Sequence, residues 1–256
     1  MVAKSKGQKS SSTALVNYDE EMRKEAAEIT KAIGAVTGKS ISTKNKIFTL
    51  PDGRAHKGPL QVVIVDFINK NLLYDRPWRE GERIPPVCFA IAKEIGAMRP
   101  SPNAPDPQSE ECSGCPMNEF GTAGDGKACK NTAVLAVAVP DGKSKEIMLL
   151  SVSPTGLTNW NKFVAGVKAQ FNATPIKVVT EITFDETKDF PKLQFEVVAP
   201  NENLQFHWGL RDEAKQMLQQ EPDLTPAPER KPARMAARAP ARTPAKAAPK
   251  RAATRR

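Results

Sequence analysis

All four cysteines of the chain lie between positions 88 and 129. Cys112 and Cys115 form a Cys-x2-Cys pair, in which one reversal of the backbone brings two thiolates towards one point. Cys129 follows a glycine-rich segment, residues 121–126, which lets the backbone fold back towards that pair. Cys88 would reach the same point from an upstream strand. Four thiolates are a usual ligand set for structural zinc, so the spacing predicts that Cys88, Cys112, Cys115 and Cys129 bind Zn²⁺.

Two other interpretations of the cysteines remain open. Cys88 is alternatively a small buried apolar residue, which would leave the metal site incomplete. Four thiolates also hold iron–sulfur clusters, but nothing else in the sequence indicates electron transfer. His56 and His207 are additional candidate ligands, although a lone histidine is more often structural or exposed. Since four thiolates leave no open position for a catalytic water, the predicted zinc is structural.

The positive charge of the chain is concentrated near its end. The formal net charge is +9, and the segment from Glu221 onwards holds 10 Lys/Arg against 3 Asp/Glu. Frequent prolines argue against a continuous helix in this segment. We therefore expect residues 221–256 to be a disordered polycation that contacts phosphates. Residues 1–16 are expected to be disordered as well. The cations recur every four residues, and the predicted phosphate contacts are Arg230, Arg234, Arg238, Arg242, Lys246 and Lys250.

Several functional classes are not expected from the composition. The chain has no apolar run of 18 residues, so we expect no membrane span. The first residues are basic without an apolar segment, which is not typical of a secretory signal. A cytoplasmic location is therefore expected, where reduced cysteines favour a metal over disulfides. The histidines are far apart and the acidic residues scattered, so we expect no catalytic site and no enzymatic activity.

The apolar patterns predict one mainly β domain over residues 17–220. Three helices are predicted, at about 20–33, 157–171 and 211–219, since apolar residues there recur at helical spacing. About seven mostly antiparallel strands are predicted at 41–50, 60–68, 87–92, 133–139, 147–152, 176–184 and 193–198, with a turn and a short strand over 69–78. The residues around 96–130 are poor in aliphatic side chains, and a loop of this length is usually functional or stapled. The cysteines supply the staple, giving a zinc-bound insertion at about 88–130.

Aromatic and basic residues occur close together in two segments of the predicted sheet. Aromatic platforms beside cations are how proteins hold single-stranded nucleic acid. Tyr74 and Trp78 are candidate base-stacking residues, whereas Phe48 and Phe67 are better explained as core residues. A solvated charged face is the alternative interpretation of the basic neighbours. The candidate DNA-contacting residues are Lys44, Lys46, Lys70, Tyr74, Arg76, Trp78, Arg79, Lys127 and Lys130.

Over roughly residues 40–198 the chain resembles a family of tailed-phage proteins that bind single-stranded DNA in replication or recombination. The resemblance rests on Ile47-Phe-Thr-Leu-Pro-Asp-Gly53, a Val-Val-Ile-Val-Asp strand, Pro86-Val-Cys-Phe89, and the cysteine segments 112–121 and 126–130. It implies an OB-fold, a small Greek-key barrel, with a zinc-bound insertion beside the DNA groove and the four cysteines at the ligand positions. It also implies single-stranded DNA as partner, together with phage replication or recombination proteins, in the host cytoplasm. The basic ending differs from the acidic tail of many such proteins.

Two other functions remain open at this point. The cysteines would suit an iron–sulfur or zinc-containing nucleic-acid-processing enzyme or its accessory subunit. The basic tail would suit a virion structural protein that condenses DNA. The sequence predicts neither an oligomeric state nor a base preference.

Overall fold

One long strand organises the fold. The computed structural model describes residues 39–77 and 84–225. The strands are β1 (Ser40–Ile41), β2 (Phe48–Thr49), β3 (Ala55–His56), β4 (Leu60–Leu73), β5 (Cys88–Ala92), β6 (Lys130–Ala138), β7 (Met148–Val152), β8 (Val178–Phe184) and β9 (Leu193–Pro200). The helices are α1 (Leu157–Phe171), α2 (Leu204–Gly209) and α3 (Arg211–Leu218). The helix predicted at 20–33 and the two basic ends, 1–16 and 226–256, lie outside the described residues.

Seven strands form one sheet, in the order β1-β7-β6-β4-β8-β9 with β5 also on β4, while β2 and β3 make a small separate hairpin. β1 runs parallel to β7, and every other pair is antiparallel. The main sheet curls strongly into a half-barrel. This mixed architecture agrees with the predicted mainly β, small-barrel-like fold. Among the described residues, no helix has the length and apolar character needed to cross a membrane.

β4 contains a bulge, and along one of its edges it pairs with two different strands. β6 pairs along most of one edge, while the other edge pairs with β8 over residues 60–63 and with β5 over residues 69–73. The register between β4 and β6 shifts between Ile64 and Asp66. The regular alternation of β4 side chains between the two faces of the sheet is therefore interrupted there. Val63 lies on the same face as Ile68, although one is odd-numbered and the other even-numbered.

A helix covers each face of the sheet. α1 buries Trp160, Phe163 and Val167 in the cluster that also contains Val62 and Ile64. On the opposite face, α3 places Ala214, Met217 and Leu218 against Val63, Val65 and Ile68. Full burial of each large apolar side chain contributes about 1.5–3 kcal/mol, so these two clusters are the main source of stability.

Most predicted elements are confirmed. α1 has the predicted bounds, α3 ends one residue before its predicted end, and the strands from β5 to β9 overlap their predicted ranges. The turn predicted at 69–78 is wrong, because β4 continues to Leu73 between two flanking strands. The polar residues there are satisfied in the sheet: Asn131 Nδ2 donates to the buried Asn71 Oδ1 at 2.6 Å. The strand predicted at 41–50 is interrupted by a 3-10 helix, Lys44–Lys46, in which Asn45 has φ 57°.

Candidate metal centre and nucleic-acid interface

The four cysteines reach one small cavity from three different parts of the fold. Cys88 begins β5, Cys112 and Cys115 flank a tight reversal in the loop that follows β5, and Cys129 directly precedes β6. All four side chains line a cavity of about 10 Å³. Each cysteine is buried, and none forms a disulfide. The backbone thus gathers four reduced thiols in one place.

Main-chain hydrogen bonds hold this cysteine lobe, which we define as residues 93–129. Ser101 N donates to Phe89 O at 2.8 Å, which ties the lobe to β5. Cys112 N donates to Met98 O at 3.0 Å, and Cys129 N donates to Met117 O at 2.8 Å. These bonds fix the two ends of the segment that carries the Cys-x2-Cys pair.

The surroundings of Cys88, Cys112 and Cys129 favour the protonated thiol over the thiolate. Burial raises the pKa of Cys88 and Cys112, and it raises the pKa of Cys129 to about 12. The neighbouring cysteines also raise the pKa of Cys129, since thiolates placed together repel. A divalent cation would reverse this balance, and its binding would release protons.

The donor set at this cavity has the chemistry of a thiolate metal site. Among the described residues, no acidic side chain and neither histidine lines the cavity; besides the four thiols, its wall carries the neutral polar side chains of Asn71, Gln108, Ser109 and Asn118. Sulfur donors select zinc or an iron–sulfur cluster over magnesium or calcium. Within residues 39–77 and 84–225, no group of three or more His, Cys, Asp or Glu side chains has the arrangement of a metal site. The four thiols thus suit a metal by donor type and common cavity, but within the described residues they are not arranged as a metal site, and the four-cysteine zinc site stays a prediction.

Both histidines are engaged elsewhere. Exposed His56 lies with Nε2 2.8 Å from Pro59 O. His207 is fully buried, with Nδ1 3.1 Å from Asn201 Oδ1 and Nε2 3.0 Å from Val139 O. These contacts give His207 a structural role between α2 and the end of β6.

A much larger cavity, which we call the groove, opens beside the cysteine lobe. Its volume is about 790 Å³, and Cys129 lines both it and the cysteine cavity. Two phenylalanines on its walls are unusually exposed: Phe120 keeps 79% of its surface accessible, and Phe190 keeps 45%. The groove also passes the start of α1 and the loop between β8 and β9. It is lined by Thr43, Phe120, Asp125, Gly126, Lys127, Cys129, Lys130, Asn131, Ser151, Ser153, Pro154, Thr155, Leu157, Phe190 and Pro191.

Two of the predicted DNA-contacting lysines lie together in the groove. Lys127 Nζ is 5.0 Å from the centroid of the Phe120 ring and donates to Asn118 Oδ1 at 3.4 Å. Lys130 Nζ donates to Lys127 O at 2.7 Å. Among the described residues of the groove wall, these two cations face a single acidic side chain, Asp125, so the lining is positive.

The other candidates are not brought into the groove lining. Lys44 and Lys46 directly follow Thr43, which does line the groove. Lys70 Nζ donates to Gln220 O at 2.9 Å, and burial lowers the pKa of Lys70. Tyr74 is 39% exposed and Arg76 is also exposed, both beyond the end of β4. Trp78 and Arg79 lie outside the described residues, as do the tail cations Arg230, Arg234, Arg238, Arg242, Lys246 and Lys250.

The structure places Phe48 and Phe67 at the core, as the sequence favours, and it adds an exposed aromatic that the sequence did not single out. Phe48 is fully buried and stacks on Phe184 with ring centroids 4.4 Å apart, so it is a core residue. Phe67 packs edge-on against Trp160 at 5.1 Å. Phe120 was missed because the periodicity of apolar residues does not report exposure inside an irregular loop; a lone aromatic in a Gly-rich polar segment was the available signal.

Comparison with family models, curated proteins and solved structures found no significant match. The arguments for a function therefore come from the residues and the geometry of the two sites.

Proposed function

We propose that this chain is a non-enzymatic single-stranded DNA-binding protein of a phage that acts in DNA replication or recombination. The observation that carries this proposal is the groove, in which the exposed rings of Phe120 and Phe190 lie on the same walls as Lys127 and Lys130. In this proposal the half-barrel is a variant of the OB-fold, whose open face commonly holds oligonucleotides.

The chemistry of the groove favours single strands over duplex DNA. Unpaired bases expose their faces, and stacking on an aromatic side chain contributes about 1–3 kcal/mol per base. In a duplex those faces are covered by neighbouring bases. The ammonium groups of Lys127 and Lys130 supply phosphate contacts that do not depend on sequence. The tail adds further cations for the same purpose.

The cysteines have a supporting role in this proposal. Cys88, Cys112, Cys115 and Cys129 would hold Zn²⁺, which supplies a structural cross-link when bound and leaves no position for a catalytic water. Phe120 and Lys127 both belong to the cysteine lobe, between Cys115 and Cys129. A cross-linked lobe therefore presents these two side chains in a fixed position on the groove wall, which lowers the entropy cost of binding.

Substitution of the two exposed phenylalanines tests the proposal. We expect Phe120→Ala combined with Phe190→Ala to weaken binding of a fluorescein-labelled oligothymidine by about tenfold or more, measured by anisotropy, since each lost stacking contact costs about 1–3 kcal/mol. Phe171→Ala is the matched control, because Phe171 is 37% exposed on α1 and does not line the groove. Equal affinity of the wild-type protein, the double variant and the control would refute the groove as the binding site.

The same binding assay with duplex DNA, together with an absorption spectrum of the purified protein, separates the alternatives. Binding to duplex DNA as tight as to single strands would favour a DNA-condensing virion protein. Strong visible absorption of the purified protein would replace zinc by an iron–sulfur cluster and favour the nucleic-acid-processing alternative.

A further inference from the structure

Arg211 lies on the wall between two cavities that are distinct from the groove. It is the first residue of α3, and it lines both a cavity of about 640 Å³ and a smaller one of about 350 Å³. No described residue lines both the larger cavity, which we call the Arg211 cavity, and the groove. The two sites are therefore separate.

The guanidinium of Arg211 is poorly satisfied for a group so little exposed. Its side chain is 25% exposed, and its Nε is buried without a hydrogen-bond partner in the described part of the chain. Nη2 lies 3.8 Å from Asp66 Oδ2, which is too long for a hydrogen bond. One face of the guanidinium lies 4.4 Å from the ring of Trp208. Buried polar groups normally have partners, so this one needs an explanation.

Asp66 places a negative charge near the guanidinium but does not hydrogen-bond it, and one of its two carboxylate oxygens is already shared. Lys93 Nζ pairs with Asp66 Oδ1, and Phe67 N donates to the same oxygen at 2.8 Å. Asp66 sits at the bulge of β4, which fixes its position between Lys93 and Arg211. Packing thus sets the orientation of the guanidinium. Its hydrogen-bonding capacity is not fully used.

Positive charge exceeds negative charge around the Arg211 cavity. Among the described residues, four cations line it, Lys93, Arg99, Arg211 and Lys215, against the two carboxylates Asp66 and Glu221. Glu221 is engaged by Ser101 Oγ at 2.6 Å and Asn103 Nδ2 at 2.8 Å.

The remaining ion pairs at the Arg211 cavity are weak. Lys215 pairs with Asp212 at 3.3 Å and Arg99 with Glu111 at 3.0 Å, both on the exposed surface. Such pairs contribute little, so a doubly charged anion that offers better geometry can replace them.

We propose that the Arg211 cavity binds the phosphate group of a nucleotide. A guanidinium binds phosphate through two parallel N–H donors, and Lys215 and Lys93 add charge. The excess of two positive charges among the lining side chains matches a phosphate monoester. The volume lies within the range of small-molecule sites, and the half-buried Ile91, backed by the buried Ile68 and Leu218, gives the cavity an apolar wall for a base.

Titration of the full-length protein with thymidine 5′-monophosphate, inorganic phosphate and thymidine tests this proposal. We expect the two phosphate compounds to bind and thymidine not to bind, by calorimetry. Arg211→Gln should weaken phosphate binding by about tenfold or more, since charge-assisted bidentate contacts are lost. Lys215→Gln should weaken it severalfold. Arg54→Gln is the control, because Arg54 pairs with Asp52 on the surface and does not line the cavity.

Tryptophan fluorescence gives a second readout. A ligand that displaces the Arg211 guanidinium from Trp208 should change the emission, and Trp208→Phe should remove that change. Lys215 is 51% exposed, so its variant keeps the test valid if Arg211→Gln does not fold.

Two comparisons show whether the bound phosphate belongs to a free nucleotide or to the DNA strand. If the monophosphate binds, the site takes a free nucleotide; if only an oligonucleotide loses affinity in Arg211→Gln, the site takes a phosphate of the DNA strand. The Phe120→Ala and Phe190→Ala double variant should leave monophosphate affinity unchanged, which separates this site from the groove. The proposal is overturned if thymidine binds as well as its monophosphate, if the groove variant abolishes monophosphate binding, or if Arg211→Gln and Lys215→Gln match the wild type for every ligand.

Discussion

Substitution of Cys115 by serine should release the metal and loosen the cysteine lobe without unfolding the sheet. The main apolar clusters contain none of the four cysteines, so the body does not depend on them. The apolar cluster that joins the lobe to β5 is small, consisting of Ala90, Met98 and Cys112 with Ala92 packed against it. The expected effect is therefore local.

The size of the expected effect follows from the interactions that stabilise the cysteine lobe. Burial of Met98, its largest apolar side chain, contributes about 1.5–3 kcal/mol. Each main-chain hydrogen bond adds about 0.5–1.5 kcal/mol, whereas ordering each residue costs about 1–2 kcal/mol. These contributions do not offset the cost of ordering residues 93–129. A structural zinc ion supplies about 10–16 kcal/mol in small zinc domains, which exceeds the contribution of any single contact within the lobe, so loss of the ion should increase exchange there first.

The assay combines metal content by mass spectrometry with hydrogen exchange. We expect one zinc per wild-type chain, protected amides at Cys112 and Cys129, and loss of both in Cys115→Ser, while amides of β4 and β6 stay protected. Ser113→Ala is the matched control, since Ser113 is exposed between the two cysteines of the pair. A metal-free wild-type protein whose lobe is fully protected would show that the reasoning is wrong.

Two further predictions concern backbone conformation and the tail. Gly142 has φ +65°, and an added Cβ would lie 2.4 Å from Asn203 Cγ, so Gly142→Ala should lower the free energy of unfolding by at least about 1 kcal/mol in urea denaturation. Gly166→Ala, in the open middle of α1, should instead raise it by about 0.5–1 kcal/mol, and the same sign for both would contradict the argument. Removal of residues 226–256 should reduce the salt dependence of DNA binding yet leave binding at low salt detectable, because the groove remains. Complete loss of binding to single strands at low salt would place the activity in the tail.

The sequence predicted α1, α3 and the common cavity of the cysteines better than it predicted α2 or the groove. Apolar residues at helical spacing located α1, since the spacing of Trp160, Phe163 and Val167 reflects burial on one face. The cysteine spacing indicated that the four side chains converge on one point, because four thiols can share a metal only if they lie close together. Both signals are local in the sequence and have a direct physical cause.

The remaining features depend on tertiary contacts. β4 extends through the polar residues 69–71 because β5 and β6 pair with both of its edges there, and no local propensity reports such partners. The bulge before Asp66 reverses which side chains face each helix, so alternation alone assigns the wrong face beyond it. Phe120 and Phe190 come together from segments far apart in the chain, and this proximity is visible only in the folded protein.

Cys129 belongs at once to the walls of the cysteine cavity and of the groove. If the proposed ion and the proposed DNA strand both act on this shared wall, their binding is thermodynamically linked: whatever factor the ion adds to the affinity for the strand, the strand adds to the affinity for the ion. Saturation with oligonucleotide should then slow the capture of metal by a chelator, and the ratio of the two chelation rates would measure how strongly the neighbouring cavities communicate.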